Sequence, residues 1–391
     1  MNNIKDNFDC CGCSACINIC PKKCISFKQD KEGFDIPHID ENQCINCGMC
    51  VKVCPTITIT ARKNIDDIVV YACKNKSTDI RLNSSSGGVF YSLAKEIIGK
   101  DGVVFGVRFN DNFEAICDYC DNFEDIKKFQ GSKYVQCKMQ DSFEKAKEFL
   151  QNGRIVLFTG TPCTINGLKN FLGKDYDNLY LVDVVCMGVP SPAVWEKYKS
   201  FISSNNTLKI SEISFRNKSS GWKNYSFCAT FDNGEVLCET NSQNAYLKAF
   251  TKVLLNRKSC ESCKSKDFKI SSDITLGDYW GIESSFKNVI IDNKGYSMVL
   301  VNSVKGSYLF NSIKDNLDVM QSDIEDVIIK QPTLTRSAVS SENRDKFFKQ
   351  VNNSKNIQKL LLKYGKLSFK EFSKKCIRYI NKRILKKKGN D

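Results

Sequence analysis

Two twelve-residue runs constrain this chain more than anything else in it: CCGCSACINICP at residues 10–21 and CINCGMCVKVCP at residues 44–55. Each spells C-x2-C-x2-C-x3-C-P. Three closely spaced thiolates wrap one cubic 4Fe–4S cluster, and the fourth cysteine of each run crosses to the other cube. The spacing therefore assigns Cys10, Cys13, Cys16 and Cys54 to one cluster, and Cys44, Cys47, Cys50 and Cys20 to the second. A zinc module needs only one C-x2-C pair per half and has no use for a third cysteine followed by proline. Cys11 and Cys24 fall outside the pattern and read as free thiols. No other internal repeat is visible.

This double run is that of bacterial dicluster ferredoxins, and it claims residues 1–62 as a small domain. At 391 residues the chain has room for more, on a guide of about 150 residues per domain. Its 41% hydrophobic and 26% charged content is that of a soluble globular protein. No apolar run approaches the roughly 20 residues needed to cross a bilayer, and MNNIKDNFDCCGC has neither the apolar core nor the cleavage site of an export signal. The expectation is a cytoplasmic protein. In a reducing compartment its 21 cysteines read as metal ligands or free thiols, not disulfides. The single histidine, His38, sits between the clusters in GFDIPHID and reads as a surface residue. Its isolation removes most Ser/His and Cys/His nucleophilic schemes and most imidazole-based metal sites.

Downstream, the pattern is strand-like at residues 68–74 (IVVYACK), 102–109 and 114–120, and helical from Val89 through Ile97 and across DSFEKAKEFLQNG. From residue 154 it becomes β-α-β: RIVLFTG is a buried strand, TPCTINGLKNFLG a helix closed by Gly173, and NLYLVDVVCMG a second buried strand. SPAVWEKYKSFI is a helix with Ser191 as N-cap and Pro192 at its first position. Asn233-Gly234 turns a hairpin within YSFCATFDNGEVLCET. SDITLGDYWGI and SMVLVNSV (297–304) add strands, and beyond about residue 335 the chain reads as helical. The fold class expected is multidomain α+β and α/β: a dicluster ferredoxin-like domain, a mixed α/β body, expected to be flavin-binding as the acceptor of the clusters' electrons, and a helical C-terminal tail.

Four more cysteines fall near strand ends or turns: Cys163 in GTPC, Cys186 in DVVCMG, and Cys260 with Cys263 in RKSCESCK. Strand ends face the usual ligand crevice of an α/β layer, so the three segments could complete a third four-thiolate site. A zinc site, or Cys163 as a lone redox thiol at a helix N-terminus, are the alternatives. A flavin is the natural acceptor for one-electron clusters because it converts single electrons into two-electron chemistry. Ser84, Ser85, Ser86, Gly87 and Gly88 at a helix start offer N–H groups and hydroxyls to a pyrophosphate; a flexible loop with an N-cap has the same composition. There is no G-x-G-x-x-G run, so a Rossmann-type dinucleotide site is not supported. Cys117 and Cys120, three positions apart in a strand, point to opposite faces and read as free cysteines, and Cys73, Cys228, Cys238 and Cys376 read as small apolar residues.

SSSGGVFYSLAKEI, GSKYVQ, GTPCTINGL, DVVCMGVPSPAVWEKY and CESCKSKDFKISSDITLGDYWGI together resemble the coenzyme F(420) hydrogenase/dehydrogenase beta subunit family. The resemblance covers roughly residues 5–335, with the family's N-terminal-like domain at 63–150 and its C-terminal-like domain at 151–335. It implies FAD, a 4Fe–4S cluster beside that flavin, and two-electron redox of an organic substrate. It makes Cys163, Cys186, Cys260 and Cys263 the ligands of that third cluster. It places Ser84 to Gly88, Lys133, Gly160, Thr161 and Pro162 near FAD, with Asp278 and Trp280 bordering the flavin or substrate cleft or serving the fold as strand-end residues. One departure is Cys137, where the family has serine.

The tail, residues 336–391, holds most of the charge. From Asn356 to Asp391 there are 12 Lys or Arg against 2 acidic residues, out of a total net charge of +14. Apolar Leu360, Tyr364, Leu367, Phe372, Cys376, Ile380 and Ile384 alternate with the basic ones. Such a helix can pack with a solvated lysine face, dock on a partner, or lie on anionic lipid, giving a peripheral contact at the inner face of the membrane. Nucleic acid is not expected, since no binding module accompanies the tail. The functional expectation is an iron–sulfur flavoprotein oxidoreductase, exchanging electrons with reduced ferredoxin or a deazaflavin coenzyme. The alternative is an electron-transfer subunit feeding a larger catalytic partner.

Overall fold

A computed structural model describes Ile4, residues 9–203 and residues 207–365. Its largest element is an eight-stranded sheet whose order is β13 (Leu317–Ser322), β3 (Val69–Asn75), β12 (Ser297–Val301), β11 (Ile274–Asp278), β7 (Leu179–Val184), β6 (Val156–Gly160), β4 (Val103–Phe109) and β5 (Ala115–Cys120). The neighbouring pairs β11–β7, β7–β6 and β6–β4 run parallel, and the outer pairs antiparallel. Parallel strands are covered on both faces and read as continuous apolar runs; Val156, Leu157 and Phe158 of β6 are all buried accordingly. Cys117 packs into the core on one side of the sheet and Cys120 into the core on the other.

Registers place the functional loops along one edge. Ser297 stands opposite both Cys73 of β3 and Asp278 of β11. The carboxyl ends of β3, β11, β7 and β6 therefore share that edge. The helix Pro162–Leu172 leaves β6 there, with Pro162 in its first turn and Gly173 (φ +67°) ending it. The helix Pro192–Ile202 starts as expected, Ser191 accepting from Val194 N–H.

Two smaller sheets complete the fold: a hairpin of β1 (Ile25–Gln29) with β2 (Asp35–Ile39), and an antiparallel trio of β8 (Ile210–Asn217), β9 (Ser226–Phe231) and β10 (Val236–Thr240). The Asn233-Gly234 turn falls between β9 and β10, where Gly234 takes φ +85°. That register sets Cys228 opposite Cys238, Cα 4.1 Å apart, joined as a disulfide. The reading of both as ordinary small apolar residues is corrected here: pairing across a hairpin is a property of register. A second correction concerns residue 304. Ser303 accepts from Gly306 N–H and starts a helix over Val304–Ile313, so the strand stops at Val301.

The described residues of the dicluster domain dock on the body. Cys13 Sγ lies against the helix Pro162–Leu172, where a Cβ on Gly167 would stand 2.9 Å from the sulfur. Gly167→Ala should therefore overpack this joint, at a cost of about 1–3 kcal/mol, read as a lower Tm and faster proteolysis between residues 55 and 65. From the other end of the chain, the helix Arg344–Val351 clasps the β1–β2 turn. Arg344, 2% exposed, forms a forked ion pair with Glu32, and Phe348 meets Phe34 with ring centroids 6.1 Å apart. The next helix, Ile357–Tyr364, buries Leu360 and Tyr364 in the core beside Ala249 and Phe250. These two tail positions pack inward; Leu367, Phe372, Cys376, Ile380 and Ile384 lie outside the described residues.

Candidate electron-transfer centre

The two cysteine runs wind alike. Gly12 and Asn46, at matching positions, both have positive φ (+77° and +52°), as do Ser14 and Gly48 (+65° and +73°), each pair flanking a C-x2-C step. Cys10, Cys13, Cys16 and Cys54 come close enough for their charges to act on one another. Burial pushes the Cys10 and Cys16 thiols up, the environment that a metal's positive charge must offset to hold thiolates. Cys20, Cys44, Cys47 and Cys50 line a cavity on the outer side, together with Cys24, Ile25 and Ile39. Cys24 Sγ is 3.4 Å from Cys20 Sγ, and burial followed by that contact pushes Cys24 up to about 11. Cys11 and Cys24, read from sequence as bystanders, thus stand among the candidate ligands. Their spacing gave no sign, because the motif counts only four cysteines per run.

Cys163, Cys186, Cys260 and Cys263 form the second centre. Cys163 lies in the first turn of Pro162–Leu172, with Thr161 Oγ1 3.3 Å from its sulfur. Cys186 follows β7, and Cys260 and Cys263 belong to and follow the turn Lys258–Ser262. Every pair among the four interacts through charge. Burial pushes Cys186 up to about 11 and Cys260 up to about 12. A hydrogen bond with Cys11, then burial, pushes Cys163 up further. Gly188 allows the approach: its φ is +105°, and a Cβ there would stand 2.3 Å from Asn256 Nδ2 and 3.2 Å from Cys260 Cβ. Lys266 sets a cation alongside, donating to the Cys186 carbonyl at 2.6 Å. Among the described residues no three His, Cys, Asp or Glu side chains stand close enough to hold a single bare ion.

Next to these thiols is a cavity lined by Pro162, Asp183, Cys186, Lys266 and Phe268. Asp183 is 1% exposed, with the hydroxyls of Thr275 and Ser272 as its hydrogen-bonding neighbours. Burial raises its pKa to about 6. Its position inside the apolar run NLYLVDVV was the available signal, and the sequence reading passed over it.

The remaining candidates gather around Arg216, which the sequence reading did not single out. Its guanidinium donates to Asp278 at 2.9 and 3.1 Å, to Tyr134 Oη at 3.2 Å and to the Ser85 carbonyl at 3.0 Å. It lies 4.1 Å over the Tyr225 ring and 5.7 Å over Trp280. Trp222 stacks on Trp280 at 4.8 Å and 6°, and its Nε1 donates to Asp278 at 2.7 Å. Asp278 and Trp280 are therefore brought to the Ser84–Gly88 loop. The loop hydroxyls are already bonded: Ser84 donates to the Ile80 carbonyl, Ser85 pairs with Ser132, and Ser86 donates to the Tyr296 carbonyl. Gly87 presses so close to β3 that a Cβ would lie 2.4 Å from the Cys73 carbonyl oxygen. What this loop leaves open is the first turn of the helix Val89–Ile98, whose N-cap, Gly88 (φ +89°), has no capping side chain.

Lys133 turns onto its own loop, donating to the carbonyls of Lys128, Gln130 and Gly131, and burial pulls its pKa down to about 7. Cys137 lies 3.6 Å from the Lys138 carbonyl, a contact in which a serine hydroxyl would be the better donor. Gly160, Thr161 and Pro162 belong to the thiol centre's own strand end.

Residues 153–327 match the family described as the C terminus of the coenzyme F420 hydrogenase/dehydrogenase beta subunit, and residues 9–57 match a 4Fe-4S dicluster domain. Over these two spans the chain is similar to that beta subunit and to iron–sulfur dicluster domains. The body's beta-subunit region carries Cys163, Cys186, Cys260 and Cys263, all four inside the matched span. The dicluster match spans the eight motif cysteines of the two runs, and Cys11 with them. A chain of the F420-reducing NiFe hydrogenase complex from Methanosarcina barkeri, solved after xenon derivatization, is 16% identical with a TM-score of 0.44. The alignment covers 78% of this chain and 91% of that one. No curated protein matches the sequence. Among the described residues no helix is long and apolar enough to cross a membrane.

Proposed function

We propose that this beta-subunit relative is an iron–sulfur flavoprotein oxidoreductase with three 4Fe–4S clusters and one FAD. The observation that carries the reading is the convergence of Cys163, Cys186, Cys260 and Cys263 from three segments, directly beneath the dicluster domain. Cys10, Cys13, Cys16 and Cys54 would hold the first cluster, Cys44, Cys47, Cys50 and Cys20 the second, and the four body cysteines the third. The uncapped first turn after Gly88 suits a phosphate, and the Trp222–Trp280 stack offers a ring platform beside Asp278. Bound flavin would supply the exchange between one-electron clusters and two-electron chemistry. The chain's residues position it, hold Arg216 as a fixed positive charge and shield the thiols from water. Reduced ferredoxin or a deazaflavin coenzyme is the carrier, and the substrate is a small organic molecule. A second reading is an electron-transfer subunit that feeds a larger catalytic partner. It draws on the matched family, which is described as one subunit of a hydrogenase or dehydrogenase.

Anaerobic reconstitution with iron, sulfide and FAD tests it. One FAD should remain bound per chain after gel filtration, and its absorbance should bleach on adding reduced ferredoxin or reduced deazaflavin. Protein that sheds all flavin on the column loses the flavoprotein assignment. Dye-linked turnover by the isolated chain favours the enzyme; flavin reduction without turnover favours the electron-transfer role.

A further inference from the structure

Four arginines are buried among the described residues, and three of them fork a carboxylate. Arg81 pairs with Asp292, Arg216 with Asp278 and Arg344 with Glu32. The fourth, Arg257, is 4% exposed, and no carboxylate pairs with it among the described residues. Its guanidinium donates to neutral acceptors: the Cys10 carbonyl at 3.2 Å, the Asp35 carbonyl at 2.7 Å and Gln136 Oε1 at 2.7 Å. Phe34 closes over it, ring centroid 5.0 Å away. The Asp35 carboxyl is itself raised by burial, and Lys138 acts on it more than Arg257 does. A buried charge without a counter-charge is strongly destabilising. This one stands inside the first cysteine run. A Cβ on Gly12 would lie 3.0 Å from Arg257 Nη2, and Gly12 N–H donates to Cys10 Sγ at 3.4 Å. Ser259 donates to the same Cys10 carbonyl at 2.8 Å, fixing the loop beside the guanidinium. The second run has no buried cation: Lys22, the one basic residue lining its cavity, is exposed, and so is Cys47.

We propose that Arg257 is the built-in counter-charge of the inner cluster, the one assigned to Cys10, Cys13, Cys16 and Cys54, and that it sets this cluster above the outer one in potential, so that electrons entering at the exposed Cys47 side move inward. This rests on the two-cluster reading of the cysteine runs, and needs neither a third cluster nor a flavin. A 4Fe–4S cube held by four thiolates is an anion, and reduction adds one more negative charge. A fixed cation in a water-poor site favours that reduced form, whereas solvent and salt damp any such effect around the outer run. One electron leaves the outer cluster as the inner one gains it. No bond forms or breaks, and no proton moves. Arg257 keeps its charge throughout, since a guanidinium is not deprotonated in proteins. It is a positioning residue through its hydrogen bonds and a tuning residue through its charge.

Arg257→Gln and Arg257→Lys, made in the full chain and reconstituted anaerobically, separate the charge from the hydrogen bonds. Glutamine donates without charge, and lysine keeps the charge but loses the fork. Iron is counted first, then each cluster is titrated by EPR at low and at high salt. The two dicluster signals are those that a Cys163→Ser protein retains. Arg257→Gln should lower the potential of one of them, shifting its reduction equilibrium about tenfold, or about 59 mV for one electron. Arg257→Lys should stay closer to wild type. In wild-type protein the higher dicluster potential should hold steady as salt is raised, while the lower one climbs. Equal potentials in Arg257→Gln and wild type overturn the proposal, as does an equal shift in Arg257→Lys, which would make the residue a structural pin. If neither variant folds, the wild-type salt series decides: a higher potential that climbs with the lower one overturns it. Wild-type protein holding fewer than about eight irons, the content of two clusters, would instead mark failure of the two-cluster reading and take the counter-charge with it.

Discussion

Cys163→Ser should lower the iron content of anaerobically reconstituted protein from about twelve to about eight per chain, the loss of one 4Fe–4S cluster. Serine keeps the size of the side chain but replaces a soft thiolate by a hard oxygen, which iron–sulfur clusters hold poorly. The helix that carries residue 163 does not depend on the sulfur: Pro162 starts it and Gly173 ends it. Loss of iron would then report ligation, not unfolding, and circular dichroism should match wild type. Cys137→Ser is the control. Cys137 is half-buried, lies 3.6 Å from a backbone carbonyl, and stands where the family has serine, so its variant should keep all the iron. A Cys163→Ser protein that holds as much iron as wild type would remove the third centre, and with it the route from the dicluster domain to a flavin.

The second large effect is on stability. Arg216 and Asp278 are 5% and 14% exposed and share two hydrogen bonds. Asp278→Asn should destabilise the protein by about 3–5 kcal/mol, because it strands a buried guanidinium without its counter-charge. Urea unfolding would show this as a lower midpoint at constant slope. The cost belongs to the unpaired charge more than to the bond. A double variant, Arg216→Met with Asp278→Leu, should therefore recover much of the loss. Arg216→Lys should not rescue the site, since an ammonium cannot fork to Asp278 and stack on Tyr225 together. Equal stability of Asp278→Asn and wild type would mean that water reaches the pair.

What could be read from the sequence follows from how far apart the interacting residues lie. The dicluster ligands sit three or four positions apart, so spacing alone assigned them. The β-α-β core was legible because Val156 to Phe158 and Leu179 to Val182 are apolar without alternation. Arg216 was not legible. Its partners are 62, 82 and 131 positions away, and nothing near FRNKSS distinguishes it from a surface arginine. The disulfide partners Cys228 and Cys238 are visible singly but not as a pair, because their pairing depends on the β9–β10 register. The strand β13 and the β1–β2 hairpin are short and partly polar, so their alternation is lost among turns.

The Arg344–Glu32 clasp has a consequence for how the protein is made. Its two halves are 312 positions apart, which at ordinary ribosomal speeds means about 15–60 s between the appearance of one and of the other. The dicluster domain thus leaves the ribosome early and waits, with its cysteines present and its last anchor not yet synthesised. Iron delivered during that interval meets an unclasped module; iron delivered afterwards meets one already gripped by Arg344 and Phe348.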